Sequence, residues 1–423
     1  MGHSAPDAAH YKPSINIAQA PPAGGPLLYI GSAYGFLVAA AILLTIYRAQ
    51  VARGDYGDPR VIMVVHFFTL GFLSMTAMGI LTQWIPVVFD VPPRGAKRTA
   101  VQFGVYMAGV LGFAWGLAQQ NWVLLAVSGT VLAIAIVMWS AGAMGQLAES
   151  SKPRDTVYRG IQGAVAGFNL TWVLGVFMAL SFLGWWPEYQ VLRVHIATAL
   201  AAWLGVLVLT VQVKLNPMFS MSKAQGVRFA LPLYLVAAGV VLAWGSLFTS
   251  ALLMRAGAVL WTVAALVAAE QLARVVRQGK TEKFDRVFVG VGAAWLLLLA
   301  AAVEAVWLSP LAIFLAFWAL LTLIFSYQAR IVPFVVAVAV AKKLPGPVFK
   351  AFFMAQAMHS KNQPVIVGIL GITGAVLSVA GRVEGTAGLE AASGAVVLVM
   401  VTSQLANMGA AMARGRKQGA AHP

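Results

Sequence analysis

Twelve apolar runs follow one another with only short polar breaks between them. They cover 26–47, 61–89, 100–118, 121–145, 160–185, 192–214, 229–250, 254–276, 286–308, 310–341, 363–382 and 388–412. A helix needs about 20 apolar residues to cross the hydrocarbon core of a bilayer, and most of these runs meet that length. Strands of a membrane barrel would instead alternate apolar and polar residues over about ten positions. A soluble fold is excluded by charge, because only 10% of the residues are Asp, Glu, Lys or Arg, against roughly 25% in soluble domains. The sequence therefore predicts an all-α integral membrane protein of about twelve transmembrane helices, with the lipid bilayer as its first partner.

Basic residues orient the bundle. With the N-terminus placed in the cytoplasm, 23 of the 29 Lys and Arg residues fall on inner segments and 6 on outer ones. Positive charge favours the cytoplasmic side, so both termini are expected there, in a multi-pass protein of the cytoplasmic (inner) membrane. The same loop placement accounts for the net charge of +16 without a nucleic-acid partner. Residues 1–25 read as a cytoplasmic tail and lack the charged start and cleavage site of a signal peptide. Residues 26–412 form the membrane domain, and 413–423 a basic cytoplasmic tail. Met1-Gly2-His3 is read as solvated rather than as a copper chelate. Val348 to Met358 reads as a short interfacial helix, and His359 beside it as solvated or lipid-facing.

Three of the runs resemble one another. His66 to Asp90, His195 to Ser222 and Leu311 to Phe334 are each an apolar helix ending in a polar residue three positions before proline: Gln83 and Pro86, Lys214 and Pro217, Arg330 and Pro333. The first two begin with histidine, and the third has Leu311 or Ile313 there. The three are four helices apart in order, so they run in the same direction. This predicts three similar four-helix units. Internal repeats in membrane proteins place functional sites at the repeat interface.

Few residues can carry chemistry. The absence of cysteine excludes disulfides, Fe–S clusters and covalently attached haem c. No phosphate-binding G-x-x-x-x-G-K-[ST] loop occurs, which excludes an ATP-driven pump in this chain alone. Only His66 and His195 lie within confident spans, both in the outer third. An intramembrane ionisable residue is a functional hypothesis by default, and imidazole is a standard axial ligand of haem iron. Leu70, Leu73 and Ala77 follow His66 at helical spacing and would offer a porphyrin an apolar face. Ala197, Ala199, Ala201, Ala202 and Gly205 make the surroundings of His195 small, which suits a flat macrocycle or close helix packing equally. The competing reading is that each histidine caps a helix end or hydrogen-bonds a neighbour near the interface. Met63, Met75 and Met78 are further candidate ligands. Glu270 is expected to pair with Arg274, Glu304 to reach the outer interface or relay protons, and Asn169 and Gln212 to join helices. Trp84, Trp185, Trp186 and Trp307 suit an aromatic belt.

Taken together, the helix count, the threefold four-helix pattern and the histidines on the second and sixth helices resemble the catalytic subunit of the haem-copper oxidases, and the related NnrS-like membrane proteins. The resemblance implies a haem-copper-oxidase-subunit-I-like fold with pseudo-threefold four-helix repeats. It places His66 where the family has an axial ligand of the low-spin haem, and His195 on the helix that gives the copper centre a histidine. The chain departs from the family elsewhere. The start of the seventh helix reads FALPLYLV without histidine, the tenth helix has no histidine, and Ala199 stands where the family has a tyrosine. A copper B centre, which needs about three imidazoles, is not expected, and neither is ordinary oxygen or nitric oxide reductase activity. The expectation is haem b held by His66 and His195, or by His66 alone, in a protein that transfers electrons or handles a diatomic gas, with cytochrome or respiratory-complex subunits as partners. The alternative is a cofactor-free transporter or an assembly subunit of a membrane complex.

Overall fold

A computed structural model describes residues 17–181, 188–279, 285–341, 358 and 360–420. The expectations for Met1-Gly2-His3, Trp185, Trp186, the 348–358 segment (save Met358) and His359 fall outside them. All regular elements among the described residues are helical. Eleven helices among the described residues are long and apolar enough to cross a membrane. We label the bundle α1 (Gly24–Ile46), α2 (Pro59–Phe89), α3 (Ala96–Ala118), α4 (Trp122–Ala148), α5 (Thr156–Ser181), α6 (Val191–Ser220), α7 (Ala230–Gly245), α8 (Ala251–Arg277), α9 (Val287–Val306), α10 (Leu311–Ala341), α11 (Gln363–Glu384) and α12 (Ala387–Ala420). The twelfth apolar helix, α7, has only 16 residues. At 1.5 Å rise per residue that is about 24 Å, short of the roughly 30 Å core. It lies along α8, where Gly239 and Gly257 let the two backbones meet.

Capping chemistry places the helix starts. The Asp58 carboxylate accepts from Arg60 N at 2.8 Å ahead of Pro59, and Asn121 accepts from Leu124 N at 3.0 Å. Asp155 and Asp285 do the same for α5 and α9, accepting from Val157 N and Val287 N at 3.0 Å. Each such bond satisfies a backbone donor that a helix start leaves open. Helices α2 and α6 end alike. Asp90 and Met221, each four residues past the internal proline, are left-handed (φ 57° and 53°) and send their N–H groups back to Pro86 O and Pro217 O. The prolines do not interrupt any of the three helices, and α10 continues through Pro333 to Ala341.

The bundle closes on itself, with α1 packed on both α2 and α12, and α10 on α9, α11 and α12. Its core is aromatic where α1, α2 and α10 meet: Tyr34 stacks on Phe325, and Phe72 meets Phe325 edge-on. Below, the end of α2 and α6 that carries the histidines is the histidine end, and the other is the proline end. Helix α12 runs on to Ala420, so the basic residues Arg414 and Lys417 belong to a helix rather than to an irregular tail.

Candidate functional site: the histidine pair

Both histidine-bearing helices change pitch beside the histidine. In α2, Phe67–Ser74 is π-helical, and in α6 so is Thr198–Gly205. A π turn bonds i to i+5, is rare, and is frequent at functional sites. The two segments keep one register with the prolines: Ser74 is 12 residues before Pro86 (86 − 74) and Gly205 is 12 before Pro217 (217 − 205). The histidines do not share that register. His66 stands immediately before its π segment, and His195 three residues before its own. An offset of two residues turns a side chain by about 200° around a helix. The two imidazoles therefore leave their helices on different faces, on two helices joined by the bond from Trp203 to Ser74.

Each ring is held through Nδ1. His66 Nδ1 donates to Ile62 O at 2.7 Å on its own helix, and His195 Nδ1 donates to Thr171 O at 3.0 Å on α5. A carbonyl only accepts, so both Nδ1 atoms carry the proton. The lone pair of each neutral ring is then on Nε2, and neither Nε2 has a hydrogen-bond partner among the described residues. A ring whose Nδ1–H is fixed by a backbone carbonyl is the usual arrangement of a metal-ligating histidine. Both side chains are half-buried. Phe113 of α3 lies beside His66, with 5.1 Å between ring centroids, and Gly175 of α5 leaves room beside His195.

The π segments are pinned to each other and to their neighbours. Trp203 Nε1 donates to Ser74 Oγ at 3.1 Å, joining one segment to the other. The Trp203 ring stacks on Phe168, with centroids 4.4 Å apart and planes 8° apart. Tyr106 Oη donates to Leu70 O at 3.0 Å, taking up a carbonyl in the segment where the regular helical register is lost. Close approach is made by small residues: a methyl on Gly71 would overlap Phe36, and one on Gly167 would overlap the backbone of Ala202.

This geometry changes several expectations. The face Leu70, Leu73, Ala77 was spaced for a regular α-helix, and the π segment breaks that spacing. Leu73 and Ala77 are buried in the core, and only Leu70 stays half-buried. The methionines also point elsewhere: Met75 and Met78 are fully buried in the core, and Met63 packs with Ala114, Leu117 and Leu125. Glu270 pairs with Arg274 at 2.6 Å as expected. Asn169 joins α5 to α4 through Ser140 Oγ at 2.9 Å. Gln212 joins α6 to α10 at the Tyr327 hydroxyl, as expected, and borders a small cavity. No group of three or more His, Asp or Glu side chains able to hold a metal ion occurs among the described residues.

Sequence reading missed two acidic partners at the proline end. Asp155 pairs with Lys214 at 3.7 Å, and Asp285 pairs with Arg330. Both acids open the same pattern, D-x-V-[YF]-x-G, over 155–160 and 285–290. That pattern was the legible signal. Its glycines serve the same contact one turn on: a methyl on Gly160 would overlap Thr210, and one on Gly290 would overlap Ser326. Thr210 and Ser326 each lie four residues before the paired cation. Helix α2 has uncharged Gln83 at the cation position, with Oε1 unpartnered. Near that point, in the loop before α3, Arg94 donates to Trp139 O at 2.7 Å, and burial lowers its pKa to about 10. Glu390 was also missed, because it stands in the first turn of α12 and reads as a loop charge. It is fully buried, accepts from Ser378 Oγ at 3.4 Å and leaves Oε1 unpartnered.

No family model matches the sequence, and none of the curated proteins matches it.

Proposed function

We propose that this chain is a haem-b-binding membrane protein with an oxidase-like fold of three related four-helix units, and that His66 and His195 are the axial ligands. The observation that carries the reading is the histidine pair itself: two intramembrane imidazoles on adjoining helices, each with Nδ1–H fixed on a backbone carbonyl and Nε2 left open. The donor set fits a haem iron and not a three-imidazole copper site. The threefold reading is supported by the shared π–proline register of α2 and α6, and by the Asp–cation and Gly–hydroxyl contacts repeated between α5–α6 and α9–α10. With the termini on the cytoplasmic side, the pair lies towards the outer face of the inner membrane, within reach of a cytochrome or another respiratory subunit.

When bound, haem b supplies a one-electron couple and, with one ligand displaced, a coordination position for a diatomic gas. The chain's part is orientation and exclusion of water. Ile62 O and Thr171 O hold the ring tautomers, Trp203 and Ser74 tie the two helices at a set spacing, and Phe113 and Leu70 give an apolar surround. The alternative of a cofactor-free transporter or assembly subunit is tested by the same experiment. A reduced-minus-oxidised spectrum and a pyridine haemochrome assay of the detergent-purified protein should give near-stoichiometric haem b. A colourless protein, even after expression with haem supplied, would overturn the ligand roles and leave the cofactor-free reading.

A further inference from the structure

A second polar site lies at the proline end, away from the histidines, where α1, α10, α11 and α12 meet. Ser403 Oγ donates to Gln363 Oε1 at 3.1 Å, and Gln363 Nε2 donates to Gln404 Oε1 at 3.0 Å. Tyr34 Oη donates to Gln328 Oε1, and the Gln404 side chain lies beside the same hydroxyl. Four polar atoms in this cluster have no hydrogen-bond partner among the described residues: Gln328 Nε2, Gln404 Nε2, and both Nδ2 and Oδ1 of Asn407. Their residues are 1%, 0% and 8% exposed. Buried polar atoms are almost always satisfied by protein or by ordered water, so four orphans gathered among four helices point to a ligand. Every side chain in the cluster is an amide or a hydroxyl. A site without charge takes a neutral hydrogen-bonding ligand that both donates and accepts.

A place in α6 that matches Gln328 by register offers a comparison. Gln212 and Gln328 are each five residues before their prolines (217 − 212 and 333 − 328). Gln212 Nε2 is also unpartnered, and with Asn216 and Gln271 it lines a cavity of about 20 Å³. That is room for one water molecule, and a buried water requires two to four polar partners. We propose that the Tyr34–Gln328–Gln404–Asn407 cluster is an internal water-binding site. It extends from Gln363 in the first turn of α11 to the Tyr34 hydroxyl, whose ring packs on Phe325 and Phe72 in the middle of the bundle. Water would thus reach the edge of the α2 π segment from the proline end, by a route separate from the histidines.

Hydroxyl-radical footprinting by a brief X-ray pulse in H₂¹⁸O, read by mass spectrometry on the full-length protein, tests this, because bound water labels the side chains beside it. Tyr34 and Tyr106 are both buried, but Tyr106 gives its hydroxyl proton to Leu70 O and serves as the internal control. The expected result is ¹⁸O labelling of Tyr34 with Tyr106 unlabelled, and loss of the Tyr34 label in Asn407→Leu. If Asn407→Leu does not fold, Gln404→Leu takes its place. Absence of label on Tyr34 in the unmutated protein would overturn the proposal, as would a label that persists undiminished in the folded variant. Neither outcome depends on haem content, so this test and that of the histidine pair fail separately.

Discussion

Helices α2 and α6 on one side and α10 on the other share a proline-ended frame and differ at the histidine end. All three carry a polar residue three positions before proline. Only α2 and α6 have a histidine and a π segment; α10 is α-helical throughout. The neighbouring helix supplies a reason. Gly167 meets Ala202 in α5–α6, and Phe36 meets Gly71 in α1–α2. The positions of α9 and α10 that match by register are Leu297 and Trp318, two large residues, and Trp318 instead fills the space over Gly374 of α11. In both pairs a small residue on the π-helical segment itself, Gly71 or Ala202, admits the neighbour: the Phe36 side chain in one, the Gly167 backbone in the other. Where bulk replaces it, the helix stays regular and no histidine stands at its mouth. The proline end shows the opposite trend, with α6 and α10 alike in their acid–cation pairs and α2 the neutral exception.

The comparison can be broken most severely at the histidines. His66→Ala and His195→Ala should each abolish the haem signal, while Ile313→His on α10 should leave the spectrum unchanged; a normal spectrum in either alanine variant would end the two-ligand reading. Next in size, Asp285→Asn strands a guanidinium whose side chain is only 18% exposed, and the loss of stability should be on the order of 3 kcal/mol. Asp155→Asn should cost less, about 1 kcal/mol, because its carboxylate is 42% exposed and 3.7 Å from Lys214. Thermal unfolding in detergent compares the two, and equal losses would argue against their different burial as the cause. Gly160→Ala and Gly290→Ala should each destabilise by about 1–3 kcal/mol through overpacking, and Thr210→Ala should restore much of the first; no rescue would mean that the glycine serves something else. The smallest effect should be that of Trp203→Phe, which keeps the stack on Phe168 and removes the bond to Ser74, at about 1 kcal/mol. A shift of the haem bands in that variant would show that the tie between the π segments sets ligand geometry as well as stability.

Much of this was legible in the chain. The apolar runs located the helices, and the two intramembrane histidines and the polar-x-x-Pro endings stood out because such residues are costly in lipid. The pairs Asp155–Lys214 and Asp285–Arg330 were legible only in hindsight, since D-x-V-[YF]-x-G straddles a loop and a helix start, where a search confined to apolar runs does not look. Gln328, Gln363, Gln404 and Asn407 were not legible at all: each is a single amide on a separate stretch, and no local pattern says that they converge.

The amino-acid sequence by itself determined that the chain spans a membrane as helices, roughly where each helix lies, and which two residues could ligate a metal, because hydropathy, proline and histidine act locally. The tertiary structure decided what those residues face. Pitch changes in the two π segments, and that turns every later side chain. Thus the apolar face after His66 is lost to the core, and two histidines that look equivalent in sequence leave their helices on different faces.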